Sequence, residues 1–327
     1  MVARRQFITS SLAVLGTAIS THRSFAQASK STDRPIRLIV PFAAGGGVDV
    51  FARLLADKIK QQKGHSVIVE NRAGANGALG GNVVKNAEAD GQTLLFSAAT
   101  HVMARHVMKN APYDPIADFA HIARVGEAPM MLVMSPKLPH RSISEVIADA
   151  RNRPDKWTFA TAALGAPGHL ATVAFNQLAG LNVTIVAYRG TAPALTDVAG
   201  GHVQLLIDPV LALLPMANEN SVVGLAVTSS KRTQLAPSYP TAAESGLPGL
   251  EYTSWYGVWG PKGLSADLVA SLNETINNAV RQLEKEGRLA RLGIDAVAES
   301  PAQFGAYAKN YVARNAELLK AAKFAPI

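Results

Sequence analysis

The 327-residue sequence contains no cysteine, which excludes disulfides, thiolate metal sites and cysteine nucleophiles together. Its eight histidines form no H-E-x-x-H pair or similar motif, so we expect no metal site. A G-x-S-x-G elbow, an S-x-x-K set and a Walker A sequence are missing as well. The sequence therefore predicts a protein that is not an enzyme and carries no cofactor.

Charged residues are also scarce, at 17% of the chain against 48% hydrophobic residues. No apolar run reaches the roughly 18 residues of a membrane-spanning helix. The length allows two domains with ample apolar material for buried cores. We therefore expect a folded, soluble mature chain.

Residues 1–28 have the three regions of an export signal in order. A twin arginine, Arg4-Arg5, is followed by the modest apolar run Leu12–Ile19 and by the small-x-small sequence Ala26-Gln27-Ala28. The segment resembles a twin-arginine signal, and an ordinary secretory signal or a disordered basic terminus are the alternatives. Removal of its three arginines leaves 29 basic residues against 24 acidic ones, a net charge of +5. This mild excess suits a small anion and gives no nucleic-acid signal.

The stretch Ile36–Arg53 predicts a buried strand, a glycine turn and a helix in direct succession. The strand ends at Pro41, the turn holds Gly45–Gly47, and apolar residues at helical spacing continue toward Gly64. Free N–H groups in the first turn of such a helix stabilise an anion. The sequence thus predicts an anion-binding turn at this position.

Two nucleotide-binding motifs compete with this interpretation, and the spacing disfavours both. A G-x-G-x-x-G frame from Gly45 requires glycine or alanine where Val50 stands, and Asp49 places a carboxylate where pyrophosphate belongs. A P-loop requires a Gly-Lys-Ser/Thr sequence that does not follow. A tight turn without any ligand remains the third alternative.

Further strand ends carry small or polar residues, as ligand sites of open α/β sheets do. Ser97–His101 follow the third predicted strand, and Thr100 there caps a helix or contacts a ligand. The same pattern, a turn of small residues that leads into a helix, recurs at Thr161–Leu170 and Tyr188–Pro193. Asp208 ends a later strand, either as a helix cap or as a carboxylate in the cleft. His101, His169 and Asp208 could in principle form an acid–base site.

Eight ordered segments together resemble the Bug/TctC family, the extracytoplasmic solute receptors of tripartite tricarboxylate transporters. They are IRLIVPFAAGGGVDVFARLLA, VIVENRAGANGALGG, DGQTLLFSAATH, PYDPIADFAHIARV, GAPGHLA, AYRGTAPALTDVAGGHVQLLID, LAVTSSKR and PTAAESGLPG. The resemblance implies an α/β Venus flytrap, a two-domain periplasmic binding protein with a mixed sheet in each domain and a ligand cleft between them. It places domain 1 at 29–127 and 229–327 and domain 2 at 128–228, after a signal peptide at 1–28.

The resemblance also implies a site in which two turns hold a carboxylate through backbone N–H groups and bridging water. The expected ligand-binding residues are Phe42, Ala44, Gly45, Gly46, Asp49, Ser97, Thr100, His101, Thr161, Gly165, Pro167, Gly168, His169, Tyr188, Arg189, Gly190 and Asp208. Where the family often has proline beside the first glycines, this chain has Ala43-Ala44. We expect affinity to depend on Gly46 more than on Arg189.

The predicted function is a monomeric periplasmic receptor for a small organic anion, which it passes to the membrane permease subunits of the transporter. The alternative is an exported oxidoreductase that binds a nucleotide cofactor at the first turn, because twin-arginine export often carries cofactor proteins.

Overall fold

The computed structural model describes residues 34–63 and 66–327. Its strands are β1 Ile36–Val40, β2 Val67–Asn71, β3 Thr93–Ala98, β4 Phe119–Met134, β5 Thr158–Thr161, β6 Thr184–Ala187, β7 Leu205–Pro209, β8 Val223–Val227, β9 Thr253–Pro261 and β10 Asp295–Ala296. Its helices are α1 Gly47–Lys63, α2 Ala78–Lys85, α3 Ala104–Val107, α4 Ile143–Asn152, α5 Pro167–Ala179, α6 Thr191–Gly200, α7 Val210–Asn218, α8 Ala266–Lys285 and α9 Pro301–Ala321. The predicted signal peptide lies outside the described residues.

The strands form one mixed sheet in the order β2-β1-β3-β9-β4-β7-β5-β6, with β8 and β10 also paired to β4. Strands β1, β2 and β3 are parallel in the first half, and β5 is parallel to β6 and β7 in the second. Strands β4 and β9 run antiparallel to their neighbours. The carboxyl ends of β1, β3, β5, β6 and β7 carry the predicted turns.

Strand β4 joins the two halves of the sheet. Its residues 119–129 pair with β9, and its residues 130–134 pair with β7 on one edge and β8 on the other. The hydrophobic pattern predicts two segments here, His121–Val125 and Met130–Met134, and the structure joins both in one strand. The pairing with β9 shifts register on both sides of Arg124 and then continues in register from Gly126 to Pro129.

Helix α1 shows how the turns are anchored to the core. Phe51, Leu55 and Ile59 recur every four residues, so they lie on one helix face, and all three are buried against the sheet. Each such side chain contributes about 1.5–3 kcal/mol of burial free energy. The start of α1 is thereby held rigidly at the end of β1.

Residues 34–327 form one compact unit by their internal contacts. The predicted domain boundary at 127/128 falls inside β4, and the boundary at 228/229 falls just after β8. Within the described ranges, no helix combines the length and the apolar character that crossing a membrane requires.

Candidate functional site

The first turn, Phe42–Gly46, is closed by a carboxylate from the helix that follows it. The Gly45 N–H donates to Asp49 Oδ2 at 2.8 Å, and Gly45 has a left-handed φ of +83°. Arg53 Nε and Asn71 Nδ2 also donate to Asp49, at 3.0 and 2.9 Å. Burial disfavours the ionised carboxyl, but these hydrogen bonds outweigh it and hold the pKa of Asp49 below its ordinary value.

The observed role of Asp49 is to stabilise the turn. The residue is 2% exposed, and its carboxylate oxygens accept hydrogen bonds from Gly45, Arg53 and Asn71. The Gly45 N–H is occupied as well. The N–H groups of Gly46, Gly47 and Val48 donate to no acceptor in the described part of the chain, and these residues lie at or near the surface.

The second turn, Thr161–Ala166, is closed in the same way by a neutral ring. The Gly165 N–H donates to His169 Nδ1 at 3.2 Å, and Gly165 has a φ of +73°. Burial lowers the pKa of His169 to about 4, so the imidazole is neutral and its Nδ1 accepts. The ring packs edge-on against Phe324. His169 thus shapes the turn.

Helix α5 begins directly behind this turn, with Pro167 at its first position. The next two N–H groups, of Gly168 and His169, have no acceptor among the described residues, although both residues are buried. A helix start that is buried without partners is unusual unless a ligand or water satisfies it. Gly168 lies so close to β7 that a side chain there would overlap the Ile207 carbonyl oxygen.

The third turn is joined to the second by backbone hydrogen bonds. The N–H groups of Tyr188 and Gly190 donate to the carbonyl oxygens of Thr161 and Ala162, at 2.8 and 2.9 Å. The Tyr188 hydroxyl donates to Asp197 on α6, at 2.7 Å, so it supports that helix. Arg189 is exposed and forms no ion pair within the described residues.

Asp208 lies beside these two turns at the end of β7. It is 5% exposed, and its Oδ2 accepts a hydrogen bond from Thr191, the first residue of α6. Its Oδ1 lies 3.1 Å from the point where a Gly168 side chain would start. The structure therefore brings Asp208 together with the starts of α5 and α6.

The residues at and after the end of β3 are buried but differ in their surroundings. Ser97 Oγ is enclosed without a hydrogen-bond partner, and Thr100 is 4% exposed. His101 instead lies in an aromatic cluster with Tyr113, Phe119 and Trp259, and its Nδ1 is 3.2 Å from the Tyr113 hydroxyl. Burial, with a smaller effect of His121, lowers the pKa of His101 to about 3. His101 therefore lies in the aromatic core beside the site, and its contact with a ligand stays a prediction.

A loop that the prediction did not include links the first and second turns. Asn76 Nδ2 donates to the Leu164 carbonyl oxygen at 2.7 Å, and Asn76 has a left-handed φ of 52°. The neighbouring Gly77 packs against the Phe42 ring of the first turn. The Gly-Ala-Asn-Gly sequence at 74–77 is a signal for this backbone geometry, because asparagine and glycine tolerate it. Sequence alone does not show where the amide points.

The remaining expected residues lie within these turns. Ala44 and Gly46 are exposed in the first turn, and Thr161 is buried in the second with its hydroxyl 3.4 Å from the Ala163 carbonyl oxygen. His101, His169 and Asp208 are not joined by any hydrogen bond or ion pair in the described ranges. The described residues also contain no group of three His, Asp or Glu side chains that could hold a metal ion.

A polar cavity of about 180 Å³ lies elsewhere, between the end of β8, the start of β9 and α9. Its lining comprises Thr228, Ser229, Ser230, Glu251, Tyr252, Thr253, Tyr307, Tyr311 and Arg314. None of the expected site residues contributes to it.

The chemistry available at the turns is hydrogen-bond donation to a negative group. Two helices, α1 and α5, direct free N–H groups out of turns that the Asn76 loop connects, and helix dipoles favour an anion at both starts. The neutral His169 adds no charge to the second turn.

The family model described as tripartite tricarboxylate transporter family receptor matches residues 51–324 of this chain. A solved periplasmic binding protein, BugD, is 33% identical, with a TM-score of 0.81 over 90% of this chain and 99% of its own. An R. palustris protein with adipate is 33% identical, with a TM-score of 0.84 over 90% and 99%. A Rhodopseudomonas palustris protein, MatC, with bound malate is 29% identical, with a TM-score of 0.79 over 88% and 99%.

Proposed function

The chain belongs to the tripartite tricarboxylate transporter receptor family, as its sequence motifs predict, and has the α/β fold of periplasmic binding proteins; from this we propose that it binds a small carboxylate between its first and second turns. The ligand carboxylate accepts hydrogen bonds from N–H groups at the starts of α1 and α5, directly or through water.

The observation that carries this proposal is the buried start of α5. Gly168 and His169 present N–H groups that lack acceptors, and no Asp or Glu closes this turn. Hydrogen bonds from such donors to a charged acceptor are worth about 1.5–3 kcal/mol each. A carboxylate supplies the missing acceptors, and its charge is favoured by the helix dipole.

The ligand classes of similar proteins support the same assignment. Two solved structures that share the fold and about a third of the sequence hold adipate and malate, both of which are small dicarboxylates. We therefore place mono- and dicarboxylates of about this size at the head of the candidate ligands. The nucleotide-cofactor alternative gains no support, because the Asp49 carboxylate lies inside the turn where pyrophosphate would bind.

We further propose that the mature protein works in the periplasm as a monomer and delivers its ligand to the membrane permease subunits of a tripartite transporter. Closure of the two domains around the ligand is then expected to bend the crossing segments near residues 125–131 and 227–253. Small-angle scattering with and without saturating ligand measures this closure as a decrease in the radius of gyration.

A thermal-shift screen tests the proposal directly. The panel contains adipate, malate, succinate, glutamate and benzoate, with adipamide and putrescine as uncharged and cationic controls. A ligand at about 100 times its Kd adds roughly 2.7 kcal/mol to the free energy of unfolding. We expect stabilisation by at least one carboxylate and none by the controls. Stabilisation by no acid, or purification with a bound flavin or nicotinamide, would contradict the receptor assignment.

A further inference from the structure

Asp208 places a carboxyl group inside a site that is built for an anion. It stands at the end of β7, next to the start of α6 and next to Gly168, whose N–H is one of the two proposed to hold the ligand. A ligand carboxylate on the Gly168 and His169 N–H groups therefore lies beside the Asp208 carboxyl. Two ionised carboxylates in such proximity repel each other.

Within the described residues, no ion pair to Asp208 offsets this repulsion. Asp208 forms no ion pair with any lysine, arginine or histidine of the described residues, and its hydrogen-bond donor is the Thr191 hydroxyl. The groups packed around it are neutral: the Gly168 backbone on α5, the Tyr256 phenol on β9 and Met131, its pairing partner on β4. His169 is also neutral, and its ring is engaged with Gly165 and Phe324.

Burial acts in the same direction even before a ligand arrives. It raises the pKa of Asp208 to about 6, and the Thr191 hydrogen bond opposes this only in part. The Tyr256 pKa is raised to about 12, mainly by burial and also by the negative charge of Asp208. A second negative charge in the site must raise the pKa of the Asp208 carboxyl further.

We propose that the Asp208 carboxyl takes up one proton when the ligand binds and then donates a hydrogen bond to the ligand carboxylate. The two carboxyl groups thus share one proton, which comes from solvent and returns to solvent when the ligand leaves. This inference rests on the proposed function and adds that the receptor binds its anion together with a proton. Asp208 is accordingly the residue that links affinity to pH.

The sign of the pH dependence follows from proton uptake. Below the pKa of free Asp208 the carboxyl is already protonated, and affinity is independent of pH as long as the ligand carboxyls stay ionised. Above it, the proton must be taken from solvent, so Kd rises by about tenfold for each pH unit until the pKa of the complex is reached. The Asp208→Asn variant carries a permanent amide donor and should bind with a Kd that is independent of pH.

Isothermal titration of adipate and malate tests this, from pH 5.5 to 8.5 and in two buffers of different ionisation enthalpy. We expect wild type to take up close to one proton at pH 7.5 and Asp208→Asn to take up none. Thr191→Val removes the donor to the ionised form, so its affinity should begin to fall at a higher pH than that of wild type. Glu244→Gln, an exposed carboxylate paired with Arg232, is the control that keeps the wild-type pH dependence.

The outcomes separate the inference from the proposed function. Binding without proton uptake, or restricted to acids that bear an amino or hydroxyl group, would show that Asp208 stays ionised and would overturn the inference alone. Binding of no acid at any pH would overturn the proposed function and the inference together. The buffer experiment uses wild type, so it decides the question even if Asp208→Asn does not fold.

Discussion

The first and second turns close by the same hydrogen-bond geometry with acceptors of different charge. In each, a left-handed glycine donates its N–H to the side chain four residues later, Gly45 to Asp49 and Gly165 to His169. Asp49 is an ionised carboxylate whose charge Arg53 offsets, and Asn71 donates a further hydrogen bond to it. His169 is a neutral imidazole without a charged partner. The side chain that closes the second turn therefore adds no negative charge at the start of α5.

The two turns also differ in the space around their glycines. At Gly46 in the first turn, the nearest atom to an added Cβ is the Ala43 carbonyl oxygen at 3.7 Å, which is ordinary contact. At Gly168, behind the second turn, an added Cβ overlaps the Ile207 carbonyl oxygen. The first turn is thus open and adjustable, whereas the second is fixed against β7. We infer that the second turn contributes more to ligand affinity.

The largest expected effect is that of Gly168→Ala, which tests this ranking. The added methyl group must displace α5 from β7, so we expect at least 100-fold weaker binding and a loss of about 1–3 kcal/mol in the free energy of unfolding. Titration calorimetry and urea unfolding measure the two quantities. Gly46→Ala is the matched control, and its Kd should change less than about threefold.

The variants Gly46→Ala and Gly168→Ala also test the expectation from the sequence that ligand affinity depends strongly on Gly46. Gly46 has no left-handed φ and has room for a side chain, so a strain argument applies to Gly45 and not to Gly46. A Gly46→Ala variant that loses binding while Gly168→Ala retains it would reverse the ranking of the two turns.

The variant His169→Asp tests the charge difference between the turns. It replaces the neutral acceptor of the second turn with a carboxylate, the acceptor that closes the first turn. A carboxylate here can still accept from Gly165, but it has no equivalent of Arg53, and it repels the ligand. We expect about 10- to 100-fold weaker binding, because like charges within a few ångströms of each other in a partly buried site cost about 1–3 kcal/mol. His169→Asn keeps a neutral acceptor and should bind within a few-fold of wild type.

Calorimetry at low and high salt checks the His169 prediction. If His169→Asp and His169→Asn weaken binding equally, the neutral charge of the second turn is irrelevant and only the ring shape matters.

A smaller effect is expected where the two turns are linked, at Asn76. Asn76→Gly deletes the hydrogen bond to the Leu164 carbonyl oxygen, and glycine keeps the left-handed backbone. One neutral hydrogen bond is worth about 0.5–1.5 kcal/mol, so affinity should fall by roughly 2- to 12-fold. The comparison variant is Asn86→Gly, directly after α2. It also deletes an asparagine hydrogen bond, to the Asn82 carbonyl oxygen, but none to the turns, so it should leave affinity unchanged. Tighter binding by Asn76→Gly would mean that this link holds the turns too far apart or too rigidly.

Sequence patterns predicted those parts of the molecule that depend on neighbours along the chain. The strand, glycine turn and helix of residues 36–63 are confirmed, and Ser300 with Gln303, a capping-box pattern in the sequence, forms that box at the start of α9. Such features arise from local backbone chemistry and hydrophobic spacing, so they can be predicted without knowledge of the tertiary structure. The family and the fold class are also confirmed.

The direction of polar side chains could not be predicted in the same way. Asp49 and His101 both follow strand ends, yet one closes its own turn and the other joins an aromatic cluster with Tyr113, Phe119 and Trp259. These partners come from segments up to 158 positions away, and a single sequence does not reveal them. The continuity of β4 through Gly126 and Pro129 was missed for a related reason, because its pairing with β9 outweighs local propensity.

The smallest expected effect is that of Arg189→Gln. This variant tests whether a positive charge on the third turn adds to the ligand affinity that backbone N–H groups of the first two turns provide. Arg189 is exposed and unpaired among the described residues, so its attraction to a ligand carboxylate acts through water and is screened by salt. Exposed charge pairs contribute about 0.2–1 kcal/mol, which corresponds to a Kd no more than about fivefold weaker. The difference in Kd from wild type should shrink between 20 mM and 500 mM salt, because the Debye length falls from roughly 20 Å to roughly 4 Å.

The matched control is Arg153→Gln, which should leave Kd unchanged. Arg153 precedes β5 in the sequence and is paired with Asp149. A loss of all binding in Arg189→Gln that persists at high salt would show a direct ion pair at the ligand, and the two turns would then orient the carboxylate while Arg189 supplies most of the affinity.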